Sequence, residues 1–389
     1  AMSTATRLFI LLVAAACVAS LPLEAKCNMK PKFPPPANHS IRWVDINLDL
    51  PPSERWVNVT VPLTAEINDM ITSVMSLIPK KILDPLLARL DAKVDEIVAA
   101  FPAPYGDEIK GIANATKIGL DKLVLYNIFY EIFGACTSIV AQNDKGHVFH
   151  ARNLDFGLFL GWDWSTETWS LTQKLRPLLF NANFVRGGST VYQGTYFAGY
   201  VGLLTGMKKG AFSITVDSRF DENLDKGLIE WLMGDHGEQW LTFSTRSVME
   251  NNATFAQAVD TLSNIRMVGP SYMIVGGSQA GEGAVITRAI EKALDVWTLQ
   301  EQLSNNTNFL LQTNYDHWKA APFFDDRRDP GIKCMEELGA AGVDFPGLYN
   351  VLSAQPNLNQ LTTYTTLMDV EAGTLDAYLQ YCPHPCTIW

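Results

Sequence analysis

The residue of this sequence best suited to covalent chemistry is Cys136. The chain has six cysteines, and Cys17 lies in an N-terminal apolar segment that we expect to be removed, which leaves an odd number. In an oxidising compartment an odd cysteine indicates an intermolecular bridge or a reactive thiol. If the other four pair with one another, the thiol belongs to Cys136. The alternative is a buried structural cysteine, which behaves as a small hydrophobic residue, and counting alone favours neither.

The residues that follow Cys136 predict a β-hairpin that surrounds it with charge. Two short β-type runs, 137–141 and 147–151, flank a turn sequence. Pairing of these strands would bring Arg152 and Asp155 back beside Cys136. An arginine at that place favours the thiolate, and a carboxylate can hold and polarise an amine.

A nucleophilic cysteine also needs a base, and its own main chain could supply one. A cysteine at the start of a chain can use its α-amino group, which titrates near 7.7–8 when unperturbed. Here that requires cleavage of the peptide bond between Ala135 and Cys136. We therefore consider autocleavage at this bond.

Other common kinds of site are excluded by their motifs. The sequence has no Walker loop, no His-Glu-x-x-His, no pair of Cys-x-x-Cys motifs and no Gly-x-Ser-x-Gly elbow. His147 and His150 would point to opposite faces of one strand, so they cannot easily share a metal. We expect no metal and no cofactor. A net charge of -11 and a pI near 5.0 argue against nucleic acid as a partner.

Hydrophobic periodicity predicts a helical first third and a body of antiparallel strands. Apolar residues recur at helical spacing over 67–78, 86–98, 107–116 and 120–133. The proline-rich segment 27–56 predicts an extended lead-in without a strand. After Cys136, strands are predicted at 137–141, 147–151, 203–205, 212–216, 272–275, 284–288, 309–313, 362–369 and 374–381, and helices near 228–232, 240–250, 255–262 and 347–352. The fold class is therefore α+β.

The N-terminus and the sequons indicate passage through the secretory pathway. Arg7 precedes a short apolar run with small residues at its end, which predicts a signal peptide over 1–20; a buried N-terminal helix is the alternative. No other span reaches the roughly 18 apolar residues that a membrane crossing needs, so we expect a soluble, lumenal protein. N-glycosylation is predicted at Asn38, Asn58, Asn114, Asn252 and Asn305.

The motifs together resemble those of a known family. They are Cys-Thr-Ser-Ile-Val at 136–140, Gly-His at 146–147 with Arg-Asn-Leu-Asp at 152–155, and the segments 197–202, 312–316 and 325–328. In these the chain resembles the acid ceramidase family, one of the N-terminal-nucleophile hydrolases, which also include N-acylethanolamine acid amidase and the choloylglycine hydrolases. The resemblance covers nearly the whole chain, from 46–52 to 382–386.

The resemblance implies a fold and a subunit organisation. It implies an αββα sandwich of two antiparallel sheets with a helical subunit packed on it. Residues 21–135 would form the helical α-subunit and 136–389 the catalytic β-subunit, an α/β heterodimer cut from one precursor. It also implies the disulfides Cys27–Cys334, between the subunits, and Cys382–Cys386.

The implied activity is hydrolysis of the amide bond of ceramide in the lysosome, giving a sphingoid base and a fatty acid. Cys136 would be the nucleophile, released by its own attack on Ala135. The roles that the resemblance implies for its neighbours are thiolate stabilisation by Arg152, a hold on the new amine by Asp155, donation to the oxyanion by Asn314 and orientation of neighbouring groups by Arg327.

One position of the candidate site departs from the family pattern, so alternative functions stay open. Ser218 stands where the family carries a glutamate in the site, and it cannot supply a charge. Asp217 is adjacent, but on a strand it would point the other way. An amidase of N-acylethanolamines is the alternative enzyme, and a non-catalytic lipid-binding homologue is the alternative from another class.

The apolar segment 156–164 suggests how a lipid substrate would be reached. It is either an ordinary core strand or an exposed loop suited to a lipid surface. Because acid protonates carboxylates, the negative charge of the chain shrinks at lysosomal pH, and we expect binding to anionic lipid to strengthen. A saposin-type activator is a further expected partner.

Overall fold

The computed structural model describes residues 26–77, 80–156, 161–163, 165–166, 168–219, 231, 237–322 and 325–386. The predicted signal peptide (1–20), the helix predicted near 228–232 apart from Trp231, and residues 157–160 and 164 of the apolar segment lie outside this set. Within these ranges, no helix is both long enough and apolar enough to cross a membrane.

Two sheets form the body of the molecule. The strands are β1 (Trp43–Asn47), β2 (Gly134–Gln142), β3 (Val148–Phe156), β4 (Trp162–Asp163), β5 (Thr168–Trp169), β6 (Leu179–Arg186), β7 (Ser189–Phe197), β8 (Thr205–Lys208), β9 (Phe212–Ser218), β10 (Ser271–Gly277), β11 (Gly283–Arg288), β12 (Ala293–Thr298), β13 (Phe309–Gln312), β14 (Thr362–Asp369) and β15 (Thr374–Leu379). One sheet has the order β1-β6-β7-β8-β9-β10-β11-β12, and the other β13-β2-β3-β14-β15; β4 and β5 pair separately. All the strand pairs of the two sheets are antiparallel except the pair β1 and β6 at one edge.

Helices cover both outer faces. They are α1 (Val57–Thr60), α2 (Thr64–Leu77), α3 (Lys80–Ala100), α4 (Tyr105–Thr116), α5 (Leu120–Phe133), α6 (Ser170–Leu175), α7 (Leu241–Asn251), α8 (Phe255–Asn264), α9 (Leu299–Ser304), α10 (Arg328–Leu338) and α11 (Phe345–Leu352). Of these, α7 and α8 pack on the eight-stranded sheet, and α10 and α11 on the five-stranded sheet. The predicted sandwich is confirmed.

Side chains alternate between the two faces of a strand, and this alternation decides which residues lie between the sheets. On β2, Ile139 faces α10 and α11, together with Ala151 and Leu367 of the neighbouring strands. The alternate residues face the other sheet: Ser138 is polar, with its Oγ 2.8 Å from Thr215 Oγ1, whereas Val140 further along packs with Tyr272 and Ile274. The layer between the sheets is therefore polar near this point, which is unusual for a core and is where the site lies.

The helical first third contains a strand that was not predicted. The prediction of an extended lead-in without a strand is wrong at β1, which pairs in parallel with β6 at the edge of the larger sheet. Only Ile46 of β1 is buried, so the strand has no strong apolar alternation. The hairpin of β6 and β7 was also missed, although Gly187 and Gly188, both at positive φ, make the tight turn that joins them.

Both disulfides implied by the family resemblance are present. Cys27 is bonded to Cys334 across 307 residues of sequence, and Cys382 is bonded to Cys386. Cys136 belongs to neither and is buried. The first bridge covalently joins the N-terminal region to the body.

A buried ion pair makes a second connection between these regions. Glu108 on α4 accepts hydrogen bonds from both terminal nitrogens of Arg246 on α7, at 2.5 and 2.9 Å. It also accepts from Arg55 and from the Trp56 indole. Glu108 and Arg246 are both fully buried, and although Arg55 and Glu250 also contact them, each is the main counter-ion of the other.

Replacing Glu108 by glutamine should therefore strongly destabilise the fold. The substitution keeps the shape of the side chain and leaves the Arg246 charge short of its main counter-ion, which costs about 3 kcal/mol in a buried pair. Urea titration of the full chain measures the free energy of unfolding. Glu96→Gln is the matched control, because Glu96 and Lys93 form an exposed pair of little energetic weight. Equal unfolding midpoints for both variants would contradict this account.

Candidate active site

The hairpin of β2 and β3 places Cys136 as the sequence predicts. In its register Cys136 lies opposite Leu154, Ser138 opposite Arg152, and Ala135 opposite Asp155. The Cys136 side chain is fully buried, and Ala135 is half-buried. The chain runs through both residues within β2, so the bond proposed for cleavage lies in the first strand of the core.

On the face toward the larger sheet, Arg152 holds the thiol. Its Nη2 donates to Cys136 Sγ and to the Val216 carbonyl. Its Nη1 donates to Thr205 Oγ1 at 2.8 Å and to the Leu204 carbonyl at 3.1 Å. The guanidinium is fully buried and anchored by two strands of the opposite sheet, so its charge is fixed beside the sulfur.

Arg327, at the start of α10, holds the other side of Cys136. Its Nη1 donates to the Cys136 carbonyl and to Asp155 Oδ2, both at 2.9 Å. Its Nη2 donates to Asn314 Oδ1 at 2.7 Å, and its Nε to Asp325 at 2.6 Å. Although burial acts to lower it, the carboxylates of Asp325 and Asp155 raise the pKa of Arg327 above its usual value. This arginine is therefore a permanent charge that links four groups of the site.

Asn314 contacts the backbone of Cys136. Its Oδ1 accepts the N–H of Cys136 at 2.7 Å, and its Nδ2 donates to the Ser218 carbonyl at 2.7 Å. The side chain thus bridges β2 and the end of β9. In the continuous chain its amide nitrogen is directed at this carbonyl; donation to an oxyanion stays a prediction.

Asp155 lies opposite Ala135 in the hairpin, one residue from the backbone nitrogen that cleavage would free. It is fully buried, and burial raises its pKa against the opposing charge of Arg327. Its Oδ2 accepts from Arg327 and Asn359. Its Oδ1 has no hydrogen-bond partner among the described residues, so this oxygen can accept a further donor.

Sequence reasoning missed Asp217. The alternation along β9 does turn Asp217 and Ser218 to opposite faces, but Asp217 is the one that faces the site: its Oδ1 accepts from Ser138 at 3.0 Å and lies 3.4 Å from Arg152 Nη2. The contacts of Thr215 and Ser213 with the opposite sheet show the same orientation. Which face of β9 turns inward depends on how the sheets stack, and no local motif signals it.

A small apolar cavity adjoins this polar cluster. Its lining is entirely hydrophobic or aromatic and comes from both regions of the chain: Met70, Tyr126, Phe156, Leu175, Phe197, Tyr200 and Leu204. Leu204 is also the residue whose carbonyl accepts from Arg152. The cavity is therefore lined in part by a residue that also anchors Arg152.

The predicted glycosylation sites have the following surroundings. Asn38, Asn58, Asn114 and Asn305 are exposed, whereas Asn252 is half-buried and donates to Thr261 Oγ1 at 2.8 Å. In the part of the chain that the structure describes, no group of three or more His, Cys, Asp or Glu side chains is placed to hold a metal ion. Glycosylation stays a prediction.

The fold and the site together define a class of protein. A sandwich of two antiparallel sheets, with a buried cysteine near the start of its first core strand and arginine, aspartate and asparagine side chains around it, is the arrangement of an N-terminal-nucleophile hydrolase. Residues 136–347 match the family of linear amide C-N hydrolases, choloylglycine hydrolase family. Residues 39–101 match the family described as the beta subunit of N-acylethanolamine-hydrolyzing acid amidase.

Relatives that match nearly the whole chain identify its family within this class. It is 40% identical to acid ceramidase of Mus musculus over 368 residues, which covers 94% of this chain and 93% of that protein. The same identity and coverage hold for acid ceramidase of Homo sapiens. A solved structure, the Caenorhabditis elegans N-acylethanolamine-hydrolyzing acid amidase ortholog, is 34% identical with a TM-score of 0.54, covering 63% of this chain and all of that one. The chain belongs to the acid ceramidase family and is an amidohydrolase.

Replacing Arg327 by lysine should lower amide hydrolysis sharply while the fold is kept. One ammonium group cannot reach Cys136, Asp155, Asn314 and Asp325 together, so the cluster shifts, and a misplacement of about 1 Å can cost about 100-fold in rate. We expect kcat/KM to fall by about that factor. Arg328→Lys is the matched control, because Arg328 donates instead to the Lys319 carbonyl and to Asp329. Similar rates for the two variants would contradict the role of this cluster.

Proposed function

We propose that this protein hydrolyses the amide bond of ceramide to a sphingoid base and a free fatty acid, with Cys136 as the nucleophile. The observation that carries the proposal is the pair of contacts on Cys136: Arg152 on its sulfur and Asn314 on its backbone nitrogen. Support for ceramide comes from the acid ceramidases that match nearly the whole chain.

Maturation would begin at the bond between Ala135 and Cys136. The Cys136 sulfur attacks the Ala135 carbonyl, the C–N bond breaks, and the acyl group moves to sulfur as a thioester while the nitrogen takes up the thiol proton. Water then hydrolyses the thioester and leaves a free thiol and a free amine on Cys136. Cleavage would give subunits 21–135 and 136–389, and the Cys27–Cys334 bridge would keep them together. The buried state of the thiol in the continuous chain fits a precursor that must be cut before substrate enters.

Turnover would use the new amine as the base. The amine takes the thiol proton as sulfur attacks the amide carbonyl, and gives that proton to the nitrogen of the leaving sphingoid base when the C–N bond breaks. Water, deprotonated by the same amine, then releases the fatty acid and restores the thiol. Arg152 would stabilise the thiolate, Asp155 Oδ1 would accept from the amine, and the Asn314 amide would donate to the oxyanion once it leaves the Ser218 carbonyl. Arg327 would keep these groups in place.

The apolar lining near the thiol supports a substrate with a hydrocarbon chain, and the cavity, which at about 20 Å³ has room for about one water molecule, would have to widen after cleavage to admit it. Its lining offers no charge to a bound group, and burial of methylene groups is favourable by about 0.8 kcal/mol each. An N-acylethanolamine also carries such a chain, and the similarity to the amidase ortholog makes it the second candidate. Ceramide is favoured because the acid ceramidases align over 94% of the chain.

The expected setting is the lysosome, reached through the secretory pathway. The signal peptide 1–20 and the five sequons support this route. A net charge of -11 that shrinks in acid would favour contact with an anionic lipid surface, where ceramide resides, and a saposin-type activator would assist its extraction.

A substrate panel on acid-incubated protein tests the proposal. We expect cleavage before Cys136, seen by intact mass, and faster hydrolysis of ceramide than of an N-acylethanolamine with the same acyl chain. Cys136→Ala should stay uncleaved and inactive, because it lacks the sulfur for both steps. Faster hydrolysis of the N-acylethanolamine would replace the proposed substrate by the second candidate. A cleaved chain without activity on either lipid would overturn the proposal.

A further inference from the structure

Asp217 is a carboxylate that lies beside Arg152, the arginine that contacts the Cys136 thiol. It is fully buried between the sheets. Its Oδ1 accepts from Ser138 Oγ at 3.0 Å and lies 3.4 Å from Arg152 Nη2, the same nitrogen that donates to Cys136 Sγ. Its Oδ2 has no hydrogen-bond partner among the described residues. The Cys136 sulfur and a carboxylate therefore share one guanidinium nitrogen in a buried site.

From this arrangement we propose that Asp217 is a positioning residue that controls how the charge of Arg152 is divided between Asp217 itself and the Cys136 thiolate. When Asp217 is ionised, Arg152 interacts with two negative groups, the Asp217 carboxylate and the Cys136 thiolate. When Asp217 is protonated, Arg152 stabilises the thiolate alone. The proposal rests on the proposed role of Cys136 as nucleophile.

A hydrogen-bonded chain across the two sheets fixes the carboxylate in this place. Ser138 Oγ bonds both Asp217 and Thr215 Oγ1, and Thr215 Oγ1 lies 3.1 Å from His150 Nε2. His150 Nδ1 lies 2.8 Å from Ser213 Oγ. Since every member is buried and belongs to a strand of one of the two sheets, Asp217 cannot turn away from Arg152 without breaking the chain.

The charges around Asp217 set the direction of the pH effect. Burial raises the pKa of Asp217 to about 7, against the opposing charges of Arg152 and Arg327, and Asp155 adds to the rise. Burial lowers the pKa of His150 to about 3, so this ring is neutral in the working range.

The other titratable side chains near Asp217 do not change across that range, and the new α-amino group of Cys136, which titrates near 7.7–8 when unperturbed, is common to all the variants compared. Tyr272, opposite Asp217 on β10, has its pKa raised by burial and by Asp316, and stays neutral. Arg219 is paired with Asp316 through two hydrogen bonds, so its charge is compensated. As pH rises through about 7, Asp217 therefore gains a negative charge, and the share of Arg152 available to the thiolate falls.

The test is the pH profile of Asp217→Asn, measured on the processed enzyme from about pH 4 to about pH 9. Two readouts are taken: kcat/KM for ceramide, and the rate of Cys136 alkylation by iodoacetamide, which needs no lipid substrate. In the unsubstituted enzyme we expect an alkaline limb near pH 7, about tenfold down at pH 8 in kcat/KM. In Asp217→Asn that limb should be absent. Asp376→Asn on β15, a carboxylate whose pKa burial also raises and that does not contact Arg152, is the matched control and should keep it.

A limb that persists unchanged in Asp217→Asn overturns the proposal. If that variant is not processed, Ser138→Ala provides the test. Removing this donor to the ionised carboxylate raises the pKa of Asp217, so the alkaline limb should move to higher pH. A limb that does not move also overturns the proposal. An alkylation profile that depends on Asp217 in an enzyme without ceramide hydrolysis would sustain this inference and refute the proposed substrate instead.

Discussion

The burial of two arginine charges on either side of one strand is the constraint on which the site depends. Arg152 and Arg327 are both almost completely buried, and a guanidinium without partners in such a place would cost several kcal/mol. Their partners are the groups of the candidate chemistry: the sulfur and carbonyl of Cys136, and the carboxylates of Asp155 and Asp217. Stability and reactivity therefore rest on the same contacts.

The sandwich is what makes this arrangement possible. Because side chains alternate along β2 and β3, Arg152 faces the larger sheet, whereas Arg327 enters from α10 on the opposite side. The helical first third completes the surroundings: Met70 and Tyr126 close the apolar cavity, and Glu108 ties that region to Arg246. A cut before Cys136 would thus leave two pieces that remain joined by a buried ion pair and a disulfide.

Local sequence patterns were enough to predict the hairpin that carries Cys136 and Arg152. Turn chemistry and β-type runs predicted the hairpin at 137–151, and pairing then placed Arg152 near Cys136. Family resemblance supplied both disulfides, which spacing alone could not. Two features could not be predicted from local sequence. Strand β1 has only one buried residue, so its pattern is weak. The face of β9 that turns inward and brings Asp217 to Arg152 is fixed only when the two sheets stack.

We propose above all that Cys136 becomes an N-terminal nucleophile that carries the acyl group. The most direct measurement is the intact mass of the fragment that begins at Cys136, taken after acid quench of the enzyme during ceramide turnover. We expect a population heavier by one fatty acid less water, bound as a thioester on Cys136 and released by hydroxylamine. Turnover with no such adduct, or with the acyl group on another residue, would contradict it.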